Sequence, residues 1–198
     1  FYESQSQEPT AFFRYYVWQA PAVTLGYRQA SLVSSYRDKG YKADQVAVRP
    51  SGGGIVEHQP GDLTYALFLP VSLVPDGSMD HIFHKMTEPL LSTLHDFGIE
   101  AYCLRPGKSD ELKGDATYCF AEPLPYEVCF QGRKLLGQAQ RRGRRVFLAQ
   151  GTFQRLPLNE LWIDPLMNSW KSKIEEALQG WGANSRASEQ FIPTTVRV

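Results

Sequence analysis

The sequence predicts a mixed α/β (α+β) domain on a mixed or antiparallel sheet. Three observations carry this. Short aromatic, β-branched and aliphatic runs recur between glycine- and proline-bearing turns. Two longer stretches show helical spacing instead. No internal repeat or low-complexity tract interrupts them, so a solenoid or array is excluded. At 198 residues with 42% hydrophobic and 13% aromatic content, residues 1–198 read as a single domain able to bury a core.

Phe12 to Trp18 predicts the first strand, ended before Pro21, and Val23 to Tyr27 the second. Leu32 to Lys39 predicts a short helix closed by Gly40. Val46 to Arg49 predicts a strand entering the turn Ser51-Gly52-Gly53-Gly54, with Ile55 and Val56 opening the return strand. Leu63 to Val71 predicts a buried strand. From Ser78 to Phe97, Ile82, Phe83, Met86, Leu90, Leu91 and Leu94 fall at helical spacing. Ser78 would cap this helix, Gly98 would stop it, and Pro89 is expected to kink or divide it. Ile99 to Leu104 predicts a strand and Pro106 to Asp115 a mobile loop. Tyr126 to Phe130 and Lys134 to Ala139 predict a hairpin about Gln131-Gly132. A basic turn about Gly143, a strand over Val146 to Phe153 and a helix over Pro165 to Leu178 follow. Leu166, Trp170, Ile174 and Leu178 share one face of that helix. Ala187 to Val198 has no assignable structure.

Composition narrows the function. Formal net charge is zero, from 21 basic and 21 acidic residues, which argues against wholesale nucleic-acid binding. No apolar run spans a bilayer and no signal peptide is visible at Phe1, so no membrane role is expected. The first residue is not Met, so a segment before Phe1 is expected. Cys103, Cys119 and Cys129 cannot all pair within the chain and lack CxxC spacing, which fits a reducing, cytoplasmic setting.

Three stretches carry candidate chemistry. Ser51, Gly52, Gly53 and Gly54, with Arg49 beside them, let backbone amides face an anion or carbonyl; an ordinary glycine-rich hairpin turn explains them equally well. Lys134 in Gly-Arg-Lys-Leu-Leu-Gly-Gln-Ala could polarise a carbonyl inside a pocket, with Gly137 allowing close approach; alone, it reads as a surface lysine. Cys119 is a candidate nucleophile, its thiol pKa lowered if Lys134 or Arg49 lies near; alone, it reads as a structural cysteine. Cys103 and Cys129 are assigned to structure, and the Trp and Phe positions to the core. His58 is a candidate base or ligand-positioning group. His81, His84 and His95 lack supporting ligands for a metal, and none is expected. Asp110, Glu111 and Asp115 read as solvated loop charges. Arg141, Arg142, Arg144 and Arg145 form a basic cluster, either a solubilising hairpin tip or a docking patch for an acidic partner.

Val48-Arg49-Pro50-Ser51-Gly52-Gly53-Gly54-Ile55-Val56-Glu57-His58, followed by Asp62-Leu63-Thr64-Tyr65, resembles a signature of the lipoate-protein ligase and octanoyltransferase superfamily. So does Gly132 to Arg142, with Gly151-Thr152 after it and Leu25-Gly26-Tyr27-Arg28-Gln29 before. The resemblance implies a fold shared with biotin protein ligases, a mixed, largely antiparallel sheet flanked by helices. It implies an acyl tunnel walled by the two glycine-rich stretches, with Gln138, Ala139 and Gly151 in its wall and Lys134 on the acyl carbonyl. Cys119-Phe120, Tyr126-Glu127 and Gly132-Arg133-Lys134 resemble the cysteine-dependent octanoyltransferases, which implies Cys119 as nucleophile. Octanoyl would pass from acyl carrier protein to a lysine of a lipoyl domain or of the glycine-cleavage H protein, with no cofactor. Lipoate ligases, which need ATP and Mg²⁺, usually carry Asn-Asp where this chain has Tyr126-Glu127. Two departures stand out: Val48 where the family usually has Arg, and Gln59 where it usually has Asp. An ATP-dependent ligase, a lipoyl amidotransferase and a degenerate acyl-binding module remain as alternatives.

Overall fold

The computed structural model describes residues 11–73, 79–104, 117–121, 127–179 and 194–195. Its larger sheet is assembled from β1 (Phe12–Val17), β5 (Leu63–Pro70), β6 (Tyr102–Cys103), β7 (Val128–Phe130), β8 (Arg133–Arg142), β9 (Val146–Phe153) and β10 (Thr194–Thr195). The strand order is β10-β1-β5-β9-β8-β7-β6, antiparallel except where β10 runs parallel to β1. A smaller sheet has the order β3 (Val46–Val48), β2 (Ala22–Leu25), β4 (Val56–His58).

Alternation along the strands makes the larger sheet two-faced. Phe13, Tyr15, Leu63, Tyr65, Leu67, Phe147, Ala149 and Phe153 point to one face and are buried. Helix α2 (Met79–Asp96) covers that face with Ile82, Met86, Leu90 and Leu94. Helix α3 (Ile163–Gln179) adds Leu166, Met167, Trp170 and Ile174. Trp170 is fully buried and meets Phe13, Tyr65 and Phe153 edge-on. The opposite face of the sheet carries Arg14, Tyr16, Thr64, Ala66, Gln150, Thr152, Gly137 and Ala139 in register. The small sheet lies over this more polar face. Its own apolar side is closed by α1 (Val33–Asp38), with Val23, Leu25, Tyr36, Val46 and Ile55 packed together.

Most elements fall where the sequence predicts them; six differ. The helix expected over Leu32 to Lys39 is a 3₁₀ turn, Tyr27–Leu32, followed by the six-residue α1; Gly40 does close it, at φ +95°. Ile55–Val56 does not return along β3: β3 pairs parallel with β2, and β4 pairs antiparallel with β2 on its other side. The glycine-rich stretch is therefore a crossing over the end of β2 and not a hairpin turn. Pro89 does not divide α2, which is one helix from Met79 to Asp96. The strand expected over Ile99 to Leu104 shrinks to Tyr102–Cys103, and β8 continues through Arg142 into what reads as a basic turn. Thr194–Thr195, within the tail without assignable structure, pairs with β1. Ser78, the Pro106 to Asp115 loop with its acidic residues, and Tyr126 lie outside the described residues.

Candidate active site

A cleft of about 260 Å³ lies between the two sheets. Its floor is the polar face of the larger sheet, and its roof comes from Thr24, Val56, His58 and the connection from β3 to β4. Cys119 enters at the β8 end. Its segment is held by backbone bonds on both sides of Ile55: Ile55 N donates to Thr117 O at 2.6 Å, and Cys119 N donates to Ile55 O at 2.9 Å.

Two glycines make room for that segment. A Cβ on Gly54 would stand 2.7 Å from Cys119 N and 2.8 Å from Thr117 O. A Cβ on Gly137 would stand 2.8 Å from Cys119 Sγ and 3.0 Å from the Phe120 ring. Real Cβ atoms do not pack that closely, so a glycine at each position is what lets the thiol lie against β8. A third close approach joins β2 to the loop, where a Cβ on Gly26 would fall 2.1 Å from Gly53 O.

Lys134 lies beside the thiol. Its Nζ is 3.6 Å from Cys119 Sγ, donates to Cys119 O and forms an ion pair with Glu127. The Lys134 and Glu127 side chains are only 3% and 9% exposed, which rules out the surface-lysine reading. The β7–β8 hairpin explains the placement. Phe130 pairs with Arg133 and Cys129 with Lys134, but Val128 pairs with Leu136; this shift of register breaks the alternation along β8, so Lys134 lies on the thiol side with Cys129, and Glu127 stands two residues before Cys129.

The Cys119 pKa is displaced upward, against the expectation that neighbouring cations would lower it. Burial pushes the thiol up most; Lys134 and Arg49 pull it down, and Glu127 pushes it up again. In this cleft, desolvation outweighs the cations. His58 is displaced downward to about 3, chiefly by burial and then by Arg49. It is therefore neutral at physiological pH. Its Nε2 bonds Thr24 Oγ1 at 2.8 Å, its ring stacks on Trp18 at 4.1 Å, and its buried Nδ1 has no hydrogen-bond partner.

The other expected site residues divide. Arg49, Gly53 and Ala139 line the cleft with His58, Gly137 and Cys119. Arg49 is spent on the backbone around it, however. Its Nη1 donates to Thr24 O at 2.6 Å, and its Nη2 to Gly54 O at 2.6 Å and Gly52 O at 3.3 Å. Ser51 Oγ accepts from Gln150 Nε2 at 2.9 Å, which ties the loop to β9. Gln138 and Gly151 also border the cleft, but alternation turns both towards the helices. Gln138 Oε1 accepts from Tyr65 Oη at 2.8 Å, and a Cβ on Gly151 would strike the Tyr65 ring at 2.7 Å. Gly151 is thus a packing glycine. Arg141, Arg142, Arg144 and Arg145 are exposed, and Arg141 stands beside the cleft, its Nη1 donating to Pro50 O at 2.7 Å.

The site also recruits residues to which the sequence assigned no role in it. Glu127 is one; the alternation of the hairpin was the signal that could have found it. Arg14, Tyr16 and Thr64 are others, and Trp18 leaves the core to stack on His58. Trp162 also departs from the core, at 55% exposed. Among the described residues, no group of three or more His, Cys, Asp or Glu could hold a metal ion, and no helix is long and apolar enough to cross a membrane.

This two-sheet frame, with helices on one face and a thiol–lysine pair in the cleft on the other, has the fold of lipoate-protein ligases. A T. acidophilum candidate lipoate protein ligase with bound lipoic acid superposes with a TM-score of 0.61 at 17% identity, covering 100% of this chain and 80% of that one. Lipoate-protein ligase A bound with ATP gives 0.59 at 18% identity, covering 98% and 80%. The lipoyl protein ligase A/B catalytic domain matches residues 1–157, and the chain belongs to that family. Relatives include the octanoyltransferase LipM of Symbiobacterium thermophilum, 32% identical over 147 residues (70% of this chain, 52% of the relative). The LipM of Staphylococcus epidermidis is 28% identical over 195 residues (93% and 65%). The chain thus spans about half to two-thirds of the length of these relatives.

Proposed function

We propose that this chain carries the catalytic centre of an acyltransferase in protein lipoylation. It moves an octanoyl or lipoyl group from acyl carrier protein, through a thioester on Cys119, to a lysine of a lipoyl domain or of the glycine-cleavage H protein. The observation that carries this reading is the buried Lys134 Nζ, 3.6 Å from Cys119 Sγ, at the Gly137 end of a cleft. The names of the relatives support it.

In the first half-reaction the Cys119 sulfur bonds to the acyl carbon and the carrier's C–S bond breaks. The proton of the Cys119 thiol ends on the departing carrier thiol. Lys134 is sited to hold the carbonyl oxygen as negative charge develops on it. In the second, an amine displaces Sγ and an amide forms. Arg141, beside the cleft, and the exposed Arg142, Arg144 and Arg145 that follow it form the docking patch for acidic carrier and acceptor domains. Arg49 counts against the ATP-dependent ligase alternative, because its nitrogens are engaged by Thr24, Gly52 and Gly54 and not free for phosphate.

Intact mass spectrometry after incubation with octanoyl carrier protein, without ATP, tests the proposal. A hydroxylamine-labile octanoyl adduct is expected, and none on Cys119→Ala. Labelling of a lipoyl domain only with lipoate and ATP, with no adduct, would overturn it.

A further inference from the structure

Glu127 is a buried charge beside the thiol–lysine pair that the transfer scheme above leaves unused. A buried ion pair is a poor means of stabilising a hairpin, because both groups lose their hydration. This pair, however, includes the cation nearest the thiol. Lys134 touches Glu127, Cys119 O and, at 3.6 Å, Cys119 Sγ, so the carboxylate is one group removed from the reacting sulfur. Among the described residues, the charged and titratable groups facing the cluster are Lys134 from β8, Glu127 and Cys129 from the β7 side, Cys103 from β6, Arg49 from the connection between β3 and β4, and Cys119 itself. Of these, only Glu127 is a carboxylate.

We propose that Glu127 is a positioning residue with two duties: it balances the Lys134 charge so that Cys119 rests as a thiol, and it takes up through Lys134 the proton lost by the attacking amine. The second duty rests on the acyl-Cys119 reading; the first does not. The proton balance closes. The acceptor ammonium first loses one proton to solvent. The neutral amine nitrogen then bonds to the acyl carbon and the C–Sγ bond breaks. The remaining surplus proton on nitrogen passes to Lys134 as Lys134 passes one of its own to the Glu127 carboxylate. The departing Sγ recovers that proton by the reverse path, and thiol, ammonium and carboxylate are restored.

Glu127→Gln keeps a hydrogen-bond acceptor and removes the charge, so two readouts should move in opposite directions. Iodoacetamide alkylation of Cys119 at pH 7, followed on its own peptide by mass spectrometry, should become about tenfold faster as the unbalanced Lys134 lowers the thiol pKa. Transfer from acyl-Cys119 to an amine should slow about 10²-fold, with the acyl-enzyme accumulating. On a Lys134→Met background the buried carboxylate has lost its cation and rests protonated, so Glu127→Gln should then give neither the faster alkylation nor a further loss of transfer. Unchanged or slower alkylation in Glu127→Gln, or an equal loss of transfer on both backgrounds, would overturn the proposal. If Glu127→Gln does not fold, Lys134→Met with Glu127→Gln removes both charges together. It is then compared with Lys134→Met alone, and faster alkylation in the double variant would overturn it. A wild type that forms no acyl adduct defeats the acyl-transfer reading, while the alkylation comparison still decides the first duty.

Discussion

Gly137 illustrates how one missing side chain decides chemistry. The atom that a Cβ there would meet first is a side-chain sulfur, which can swing aside; the atoms facing a Cβ on Gly54 are backbone. Gly137→Ala is therefore expected to fold with a near-normal thermal midpoint but to displace Cys119 Sγ from Lys134. Misplacement of about 1 Å at a reacting atom costs on the order of 10²-fold in rate. Acyl-adduct formation should fall by at least that order in Gly137→Ala; an unchanged rate would mean that the contact with β8 does not position the thiol.

At the scale of elements, the β7–β8 hairpin sets the lysine. Its turn residues Gln131 and Gly132 both have positive φ, +49° and +76°, as a type I′ turn requires. Glycine suits the second position and glutamine suits the first poorly. Gln131→Asn, the residue this turn favours there, is expected to stabilise by about 0.5 kcal/mol, seen as a thermal midpoint raised by about 1–2 °C. Both turn residues are exposed and neither lines the cleft, so transfer kinetics should not change. The hairpin was legible in the sequence because its signals are local: a glycine in the turn and apolar runs on each side. The order of the small sheet was not. A strand pattern marks β2, β3 and β4, but which pair they form depends on how their buried faces combine, and the glycine-rich crossing looks locally like a hairpin turn.

For the molecule as a whole, the packing of one sheet on the other is the larger commitment, and His58 reports on it. Closure of the cleft buries His58 against Trp18 and Thr24 and near Arg49, which holds it neutral down to about pH 3. In the unfolded chain it takes a proton below about pH 6.5. Between these limits the unfolded chain binds the extra proton, so stability falls as pH falls through the window. The full effect is on the order of a few kcal/mol. Urea unfolding from pH 7 to pH 4 should show this slope in the wild type and a shallower one in His58→Gln, which cannot titrate there. Equal slopes would show that other groups dominate acid unfolding.

By itself, the sequence determined the strand and helix pattern, the two glycine-bearing signatures and the three stretches that meet at the cleft. These are set by side-chain period, turn chemistry and residue type, all local properties. Only the tertiary structure decided that Cys119 lies against Gly137, that Glu127 is the partner of Lys134, that Arg49 fastens its own loop, and that Gln138 and Gly151 face the helices. It also reversed the expected direction of the Cys119 pKa. The reason is common to all of these. Contacts between distant segments, and the loss of water around a charge, arise only when whole faces are buried together, and no local pattern encodes how much water each group loses.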